Sequence, residues 1–476
     1  MAMFLDDLEL ETGFDALACR LDGNVVRRGD PEWDVARQAR QARQARQARQ
    51  PTVDQRPEAV VRAASVDDVA AVVDTARALG LRVAPQCTGH GAAPLGPLDG
   101  AILLTTPTMR AVSIDVERRV ARVEAGARWR DVVPRAAAHG LTALAGSSPD
   151  VGVVGYTLGG GLSWHARSLG LACDSVVAVE LVTADSAFRR VDAEHEPELF
   201  WAVRGGGGSF GIVTALEFRL YDFTQVYAGV LFFPIEQARD VLSEWCRWSS
   251  TVPDEVTSVG RLLRFPPLPD LPEMLRGRSF GVVEAVCRMP GPDAERLLAP
   301  LRAAGPELDT FRPTHTSALG ALHMDAPGPV ATYGDGMLLT GLPPAAIDAV
   351  IAVAGPDVDT ALLSVELRHL GGALAPGASA SGGAVSAIDA GFAMFAIGTT
   401  ADEPSRRAVR SGVDAVQTRL APWSTGGCFL NLAERHKAGT ALFGSPTYDR
   451  LRAVKTVYDP HNMICANHSV APLPPA

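Results

Sequence analysis

The sequence predicts an α+β protein made of two unlike halves. Three observations carry that expectation. The chain has 476 residues, 47% of them hydrophobic, which is enough for more than one buried core. It holds 46 Gly and 34 Pro, a loop-rich composition rather than that of a helical bundle. Its texture also changes near Phe223: strands, short helices and glycine clusters alternate before it, and longer amphipathic helices and strands follow it.

The first segment, 1–55, contains RQARQARQARQARQ at 37–50. A three-residue period keeps no face apolar, so a solvated, partly helical insertion is expected, with a basic docking arm as the alternative. A first domain is expected over 56–223. Its opening stretch, PEAVVRAASVDDVAAVVDTARALGLRVAPQ (57–86), reads strand, turn, helix, strand. Ser65 caps the helix, Asp67 and Asp68 fill its first turn, Val69, Val72, Val73 and Ala76 recur at helical spacing, and Gly80 ends it. AILLTT (101–106) and RVARVEAGA (119–127) are strands, and RWRDVVPRAAAHG (128–140) is a helix closed by Gly140. DSVVAVELVTAD (174–185) pairs with AFRRVDA (187–193) as a hairpin. ELFWAVRGGGGSFGIVTALEFRLYDF (198–223) is a short helix, four glycines and a strand. A second domain, an antiparallel sheet backed by helices, is expected over 224–430. PIEQARDVLSEWCRWSS (234–250) is one of its helices, and RSFGVVEAVCRM (278–289) and ALLSVELRHLGG (361–372) are two of its strands. The last segment, 431–476, carries a helix stopped by Asp459-Pro460 and a closing APLPPA expected to fray.

Composition removes several function classes. A net charge of −10 argues against a nucleic-acid surface. The start, MAMFLDDLELETGFDAL, has acids where a signal peptide needs bases, and no later apolar run is long enough to span a bilayer, so a soluble cytoplasmic protein is expected. Seven scattered cysteines show neither CxxC spacing nor a disulfide rhythm, and most are expected to be reduced and buried. Ten histidines without HExxH spacing point to no metal site, and His436, His461 and His468 read as loop or helix surface. GxSxG is absent.

Glycine carries the positive signal. HGAAPLG (90–96), GYTLGGG (155–161) and GGGGSFG (205–211) each lie beside a strand or helix. Bare backbone lets N–H groups approach a pyrophosphate, and three such segments favour a large phosphate-bearing ligand. None has GxGxxG spacing or a following GK[ST], so neither a Rossmann nor a P-loop site is indicated.

Taken with TGHGAAPLG, GYTLGGGLSWHARSLGLACDSVVAVELVTAD, LFWAVRGGGGSFGIVTALEF and YDRLRAVKTVYDPHNMICANHSV, the chain resembles the FAD-linked oxidases of the vanillyl-alcohol-oxidase superfamily, berberine-bridge-enzyme-like group. The resemblance covers nearly the whole chain. It implies a PCMH-type two-part FAD-binding domain, an antiparallel-sheet substrate domain and a C-terminal segment that returns to the first. It implies an FAD-dependent oxidoreductase acting on a small secondary metabolite. Hydride would pass to flavin N5 and dioxygen would reoxidise the flavin. A flavin-dependent oxygenase or oxidative cyclase of a polyketide-like substrate, and a non-redox cyclase using FAD as a scaffold, stay open.

The resemblance assigns residues as well. His90 matches the histidine joined to the flavin 8α-methyl, and Gln86, Cys87, Thr88, Gly89 and Gly91 would face the pyrophosphate. Relatives often hold a second, cysteinyl link in G-x-C-P-x-V-G; here GSSPDVG (146–152) puts Ser148 in that place, which implies FAD held covalently through His90 only. Ser147, Ser148, Pro149, Val151, Gly152, Gly155 and Tyr156 would line the flavin, Val213 the adenine end, and Asn467 the flavin again. The usual catalytic tyrosine is replaced in GGCFLNLAE (426–434) by Phe429, which with Asn431 and Arg368 would meet the substrate. In SVELRHLGGA (364–373), Glu366 and Arg368 share one strand face and His369 takes the other. Glu366 is the first candidate for the base, a buried salt-bridged role its alternative; His369, Tyr156 and His165 follow.

Overall fold

A computed structural model describes residues 7–38, 53–325, 330–378 and 382–474. Apart from Arg37 and Gln38, the Arg-Gln-Ala repeat lies outside the described residues. The fold is α+β, with three sheets among the described residues.

The first sheet takes β1 (Asn24–Arg27), β2 (Ala59–Arg62), β3 (Arg82–Gln86) and β4 (Ala101–Thr105) in the order β1-β2-β4-β3. β4 is parallel to both β2 and β3. The helix Val66–Ala78 makes the crossover from β2 to β3. Ser65 accepts from the Asp68 N–H at 3.1 Å, and Gly80 turns the chain at φ +62°. Asp68 does more than face the helix N-terminus. Its buried carboxylate accepts from the N–H groups of Asp22, Gly23 and Ala64 at 2.7–3.0 Å, tying the preceding chain to the helix start. Val69, Val72, Val73 and Ala76 pack with Ile102 and Leu104 in this sheet's core.

The second sheet is antiparallel: β5 (Val112–Asp115), β6 (Val120–Glu124), β7 (Val176–Val182), β8 (Phe188–Val191) and β9 (Ile212–Arg219), in the order β5-β6-β9-β7-β8. β7 and β8 form the expected hairpin. The third sheet has eight strands: β10 (Gln225–Pro234), β11 (Val256–Arg264), β12 (Ser279–Cys287), β13 (Leu308–Asp309), β14 (Arg312–His315), β15 (Thr332–Leu339), β16 (Ser364–His369) and β17 (Phe392–Thr399). Its path runs β13-β10-β12-β11-β16-β17-β15, with β14 also on β10. Helices Ala238–Ser249, Gly291–Ala303, Pro344–Ala354 and Glu403–Leu420 cover one face through Trp245, Leu298, Ile347 and Val413.

The chain end returns to the first sheet. Ile464 bridges Val83 in parallel, and the Cys465 N–H bonds Val83 O at 2.8 Å. Lys455, on the helix Ser445–Tyr458, is fully buried and donates to Ser209 O at 2.8 Å and Asp459 Oδ2 at 2.5 Å. The Asp459 carboxylate in turn accepts from the Met463 and Ile464 N–H groups at 2.8 Å. This one buried pair fixes the terminal loop against the four-glycine segment.

Two surface expectations need correction. Residues 471–473 are tied down rather than frayed: Arg452 donates to Ala471 O and Pro472 O, and the Leu473 N–H bonds Thr456 Oγ1 at 2.8 Å. His468 is buried, with Nε2 2.9 Å from Ala433 O. None of the seven cysteines is in a disulfide. Among the described residues no helix is long and apolar enough to cross a membrane.

Candidate functional site

A cavity of about 370 Å³ lies where the first two sheets meet β16 and the 429–434 segment. β3 feeds its first wall. Past Gln86 the chain turns at Gly89 (φ +79°), and Cys87, Thr88, Gly89, His90 and Gly91 face the space. The Thr88 hydroxyl lies 2.7 Å from His90 Nδ1 and fixes the ring. Burial lowers the His90 pKa, only partly opposed by Asp150, so the imidazole is neutral.

The second wall is the 146–152 loop, where Ser147, Ser148, Val151 and Gly152 line the cavity. Pro149 O and Val151 O accept from the Arg130 and Trp129 N–H groups at 2.9 and 3.1 Å, so the N-terminus of the helix Trp129–Ala137 holds this loop. Gly155 and Tyr156 follow on the short helix Val153–Leu158. The Tyr156 ring meets Trp129 edge-on at 5.4 Å, and its hydroxyl has no hydrogen-bond partner among the described residues. Val213 on β9 and Asn467 on the terminal loop complete the set. Of the residues that the sequence assigned to the cofactor, all but Pro149 therefore line one cavity; Pro149 lines a different one.

Several glycines are bare because a neighbour occupies the Cβ position. A Cβ on Gly91 would come within 2.9 Å of Asn467 Nδ2, and one on Gly152 within 3.0 Å of Cys87 Sγ. On Gly159 it would meet Asn431 Nδ2 at 2.3 Å, and on Gly160 (φ +106°) the Phe429 ring at 2.9 Å. Asn431 also accepts from the Gly161 N–H at 2.8 Å, so the GGG turn and the 429–431 segment are one packed unit. Phe429 is buried against Leu171, Cys173 and Ala393 with one edge toward the cavity. The bare backbone, the neutral His90 and the unpartnered Tyr156 hydroxyl suit a dinucleotide with a planar ring system.

The catalytic candidates divide. Glu366 does not line this cavity and presents no free carboxylate: its Oε1 lies 2.9 Å from His323 Nε2, and its Oε2 accepts from Arg368 Nε and Nη2 at 3.0 and 2.8 Å. Burial acts to raise its pKa, but His323 and Arg368 hold it well below the usual carboxylate range. The base role is corrected to the buried ion pair. His323 faces a second carboxylate, with Nδ1 2.6 Å from Glu284 Oε2, and Arg261 donates to Glu284 Oε1 at 2.9 Å. Two carboxylate acceptors require an N–H on both ring nitrogens, an imidazolium. Against desolvation and Arg261, the two glutamates raise His323 to about 9. Arg368 is the member of this network that reaches the cavity wall.

His369 is also corrected. It lies outside the large cavity, tilted on Phe392 at 5.8 Å, and burial pushes it down to about 3. His165 lines a different cavity. Tyr156 is in place, but burial raises its pKa far above the usual phenol value, so it stays protonated.

Glu434 was missed. It is the carboxylate of the cavity lining, at the end of the same GGCFLNLAE stretch. Burial, opposed by the Gly334 N–H that Oε2 accepts at 3.0 Å, raises it to about 7. The Asp335 carboxylate beside it is matched by Lys437 at 2.5 Å. A carboxylate inside a predicted site segment was the available signal.

Comparison with known proteins agrees with this geometry. Residues 57–192 match the FAD binding domain family, and residues 423–471 the berberine and berberine like family. The chain is 26% identical over 469 residues to the FAD-linked oxidoreductase YgaK of Bacillus subtilis, covering 95% of this chain and 98% of that one. Over 168 residues it is 38% identical to (R)-6-hydroxynicotine oxidase of Paenarthrobacter nicotinovorans, covering 35% of this chain and 37% of that protein. The crystal structure of 6-hydroxy-D-nicotine oxidase from Arthrobacter nicotinovorans superposes with a TM-score of 0.78 at 25% identity, covering 93% and 96% of the two chains.

Proposed function

The chain belongs to the berberine-bridge-enzyme-like FAD-linked oxidoreductases, and we propose that it oxidises a small secondary metabolite with FAD joined covalently through His90 alone. The convergence of His90, the glycine loops and Asn467 on one cavity carries this reading. FAD held by these residues would supply a hydride acceptor, N5, and a route for the electrons to dioxygen, giving hydrogen peroxide. His90 makes the link through a neutral, nucleophilic ring that Thr88 orients. Forming its nitrogen–carbon bond would remove one proton from each partner and two electrons, which dioxygen would take up. Ser148 has no thiol for a second link.

Glu434 is the proton acceptor for the substrate's hydroxyl or amine. Its Oε2 is held by Gly334, which leaves Oε1 to take the proton. Arg368, anchored to Glu366, holds a fixed positive charge in the cavity lining that would steady negative charge on the substrate as the proton leaves. Asn431, fixed by the Gly161 N–H, and the Phe429 edge position the substrate.

Acid-precipitated protein should stay yellow, and the His90→Ala protein should release its flavin on precipitation; a colourless wild-type pellet removes the covalent link. Anaerobic mixing with candidate alcohols and amines should bleach the flavin. The loss of the usual tyrosine at Phe429 favours a second reading, an oxygenase or non-redox cyclase. Product formed without peroxide, or without bleaching, would select it.

A further inference from the structure

One edge of the Arg368 guanidinium is not used inside the protein. A guanidinium holds its N–H groups in one plane, as a fork with more than one edge. Glu366 Oε2 accepts from Nε and Nη2 at 3.0 and 2.8 Å, which takes the two N–H bonds that converge on that side. The Nη1–Nη2 edge is left over. Nη2 comes within 3.4 Å of His323 Nε2, but both atoms are donors and make no bond. Nη1 has no hydrogen-bond partner among the described residues, and it is not sealed from solvent as the buried unpartnered atoms are. Arg368 lines the large cavity, and its side chain keeps 15% exposure. The charges point the same way. Arg261, His323 and Arg368 are three cations in contact with two carboxylates, Glu284 and Glu366. Asp325 acts on this group only from a distance and forms no ion pair with it. One contact carboxylate is missing, and a buried cation without one is costly.

We propose that the Nη1–Nη2 edge of Arg368 binds a carboxylate of the substrate, so that the substrate is a hydroxy acid with an apolar body. The substrate class rests on the oxidase reading; the anion site does not. A carboxylate meets an open guanidinium edge with two parallel N–H···O bonds. Arg368 stands at the ring end of the cavity. It shares a small pocket with Ser147, and against the burial that raises the Tyr156 pKa its charge acts to lower it. The pyrophosphate loop at Gln86–Gly91 is a different part of the lining. Leu162, Phe429, Leu430 and Leu432 give the same cavity an apolar surface for the rest of the molecule. A cationic ligand would meet the Arg368 charge and be repelled.

The probes are benzoate and its neutral isostere benzamide, titrated into the holoenzyme and read by the shift of the flavin absorption band. Wild type should bind benzoate at least about tenfold more tightly than benzamide. Arg368→Gln should bring benzoate down to the benzamide level, a loss of at least about tenfold, while the flavin stays bound and benzamide binds as before. Where that variant does not fold, the double variant Glu366→Gln/Arg368→Gln removes the ion pair together and should show the same loss. Equal binding of the two probes by wild type, or a benzoate preference kept by either folded variant, would overturn the proposal. A kept preference with altered sulfite addition to the flavin would assign the Arg368 charge to the flavin instead. Bleaching by neutral alcohols without any benzoate preference would sink this proposal and leave the oxidase reading standing. An Arg368-dependent benzoate preference with no bleaching by any alcohol or hydroxy acid would keep the anion site and remove the oxidase reading.

Discussion

The two faces of the third sheet use the same strands for opposite purposes. Toward the helices, Leu231, Leu262, Val283, Val365, Leu367 and Met394 form a continuous apolar core. One residue along, Arg261, Glu284, Glu366 and Arg368 point the other way and, with His323, make a buried ion network that ends at the cavity. Side-chain alternation along a strand makes this division possible. A register slip of one residue would drive four charges into the helix-backed core, so the network also specifies the pairing of β11, β12 and β16. The helix-backed face supplies stability. The opposite face combines burial with an oriented charge at a reactive surface.

The largest expected effect breaks the network at its centre. Glu284→Ala leaves Arg261 without its carboxylate and takes one of His323's two, and unfolding in urea should show a loss of about 3–5 kcal/mol. It should also loosen Glu366 and Arg368, raising KM for substrate. Leu367→Ala, on the other face of β16, should cost about 2–4 kcal/mol by leaving a cavity, with the rate of flavin reduction unchanged. A slowed reduction in Leu367→Ala would show that the two faces are not separable in this way. Glu434→Gln sharpens the comparison from the cavity side. With the carboxyl near 7, wild-type turnover should rise as pH increases through about 7, because the ionised form is the base. The glutamine variant should lose that rise and about 10²-fold in turnover while still binding FAD.

Sequence reading succeeded where the signal was local. The Ser65 cap, the Gly80 stop and the spacing of Val69, Val72, Val73 and Ala76 act within a few residues, and the structure keeps them. Residues that line the large cavity could be picked out because bare glycine and a flanked histidine are themselves chain-local features. Between the two roles left open for Glu366, base or buried ion pair, the sequence could not choose, because its partner His323 lies 43 residues upstream, on a connection with no periodic pattern. Alternation put Glu366 on the correct face but could not say that a cation already held it. Glu434 was visible in the stretch that was read, but its raised pKa comes from burial beside Asp335, which the third sheet brings to it. The tail residues 471–473 looked disordered because their anchors, Arg452 and Thr456, sit one helix face away.

The smallest effect is a pH slope that the charged face should show and the apolar face cannot. His323 is raised from 6.5 to about 9 in the folded protein, so its ionised form favours folding. The stabilisation is complete below about pH 6.5 and is lost as pH rises through about 9. Between pH 7 and 9 stability should fall by about 1 kcal/mol for each pH unit. Neighbouring shifts act mainly at the edges of that window or beyond it. Glu434, raised to about 7, favours folding at low pH and has lost most of that effect by neutrality. His165 and His369, lowered to about 3, weaken the fold only under acid. Cys287 and Cys428, pushed from 9 up to about 12, begin to weaken the fold near pH 9, where the thiols of the unfolded chain ionise, and add the same slope to each variant compared. Urea midpoints measured at pH 7, 8 and 9 should therefore decline for wild type and for Leu367→Ala with the same slope, and the slope should flatten in His323→Gln. An equal slope in His323→Gln would mean that the imidazolium is not the group that titrates, and that the ion network does not set the pH response of this face.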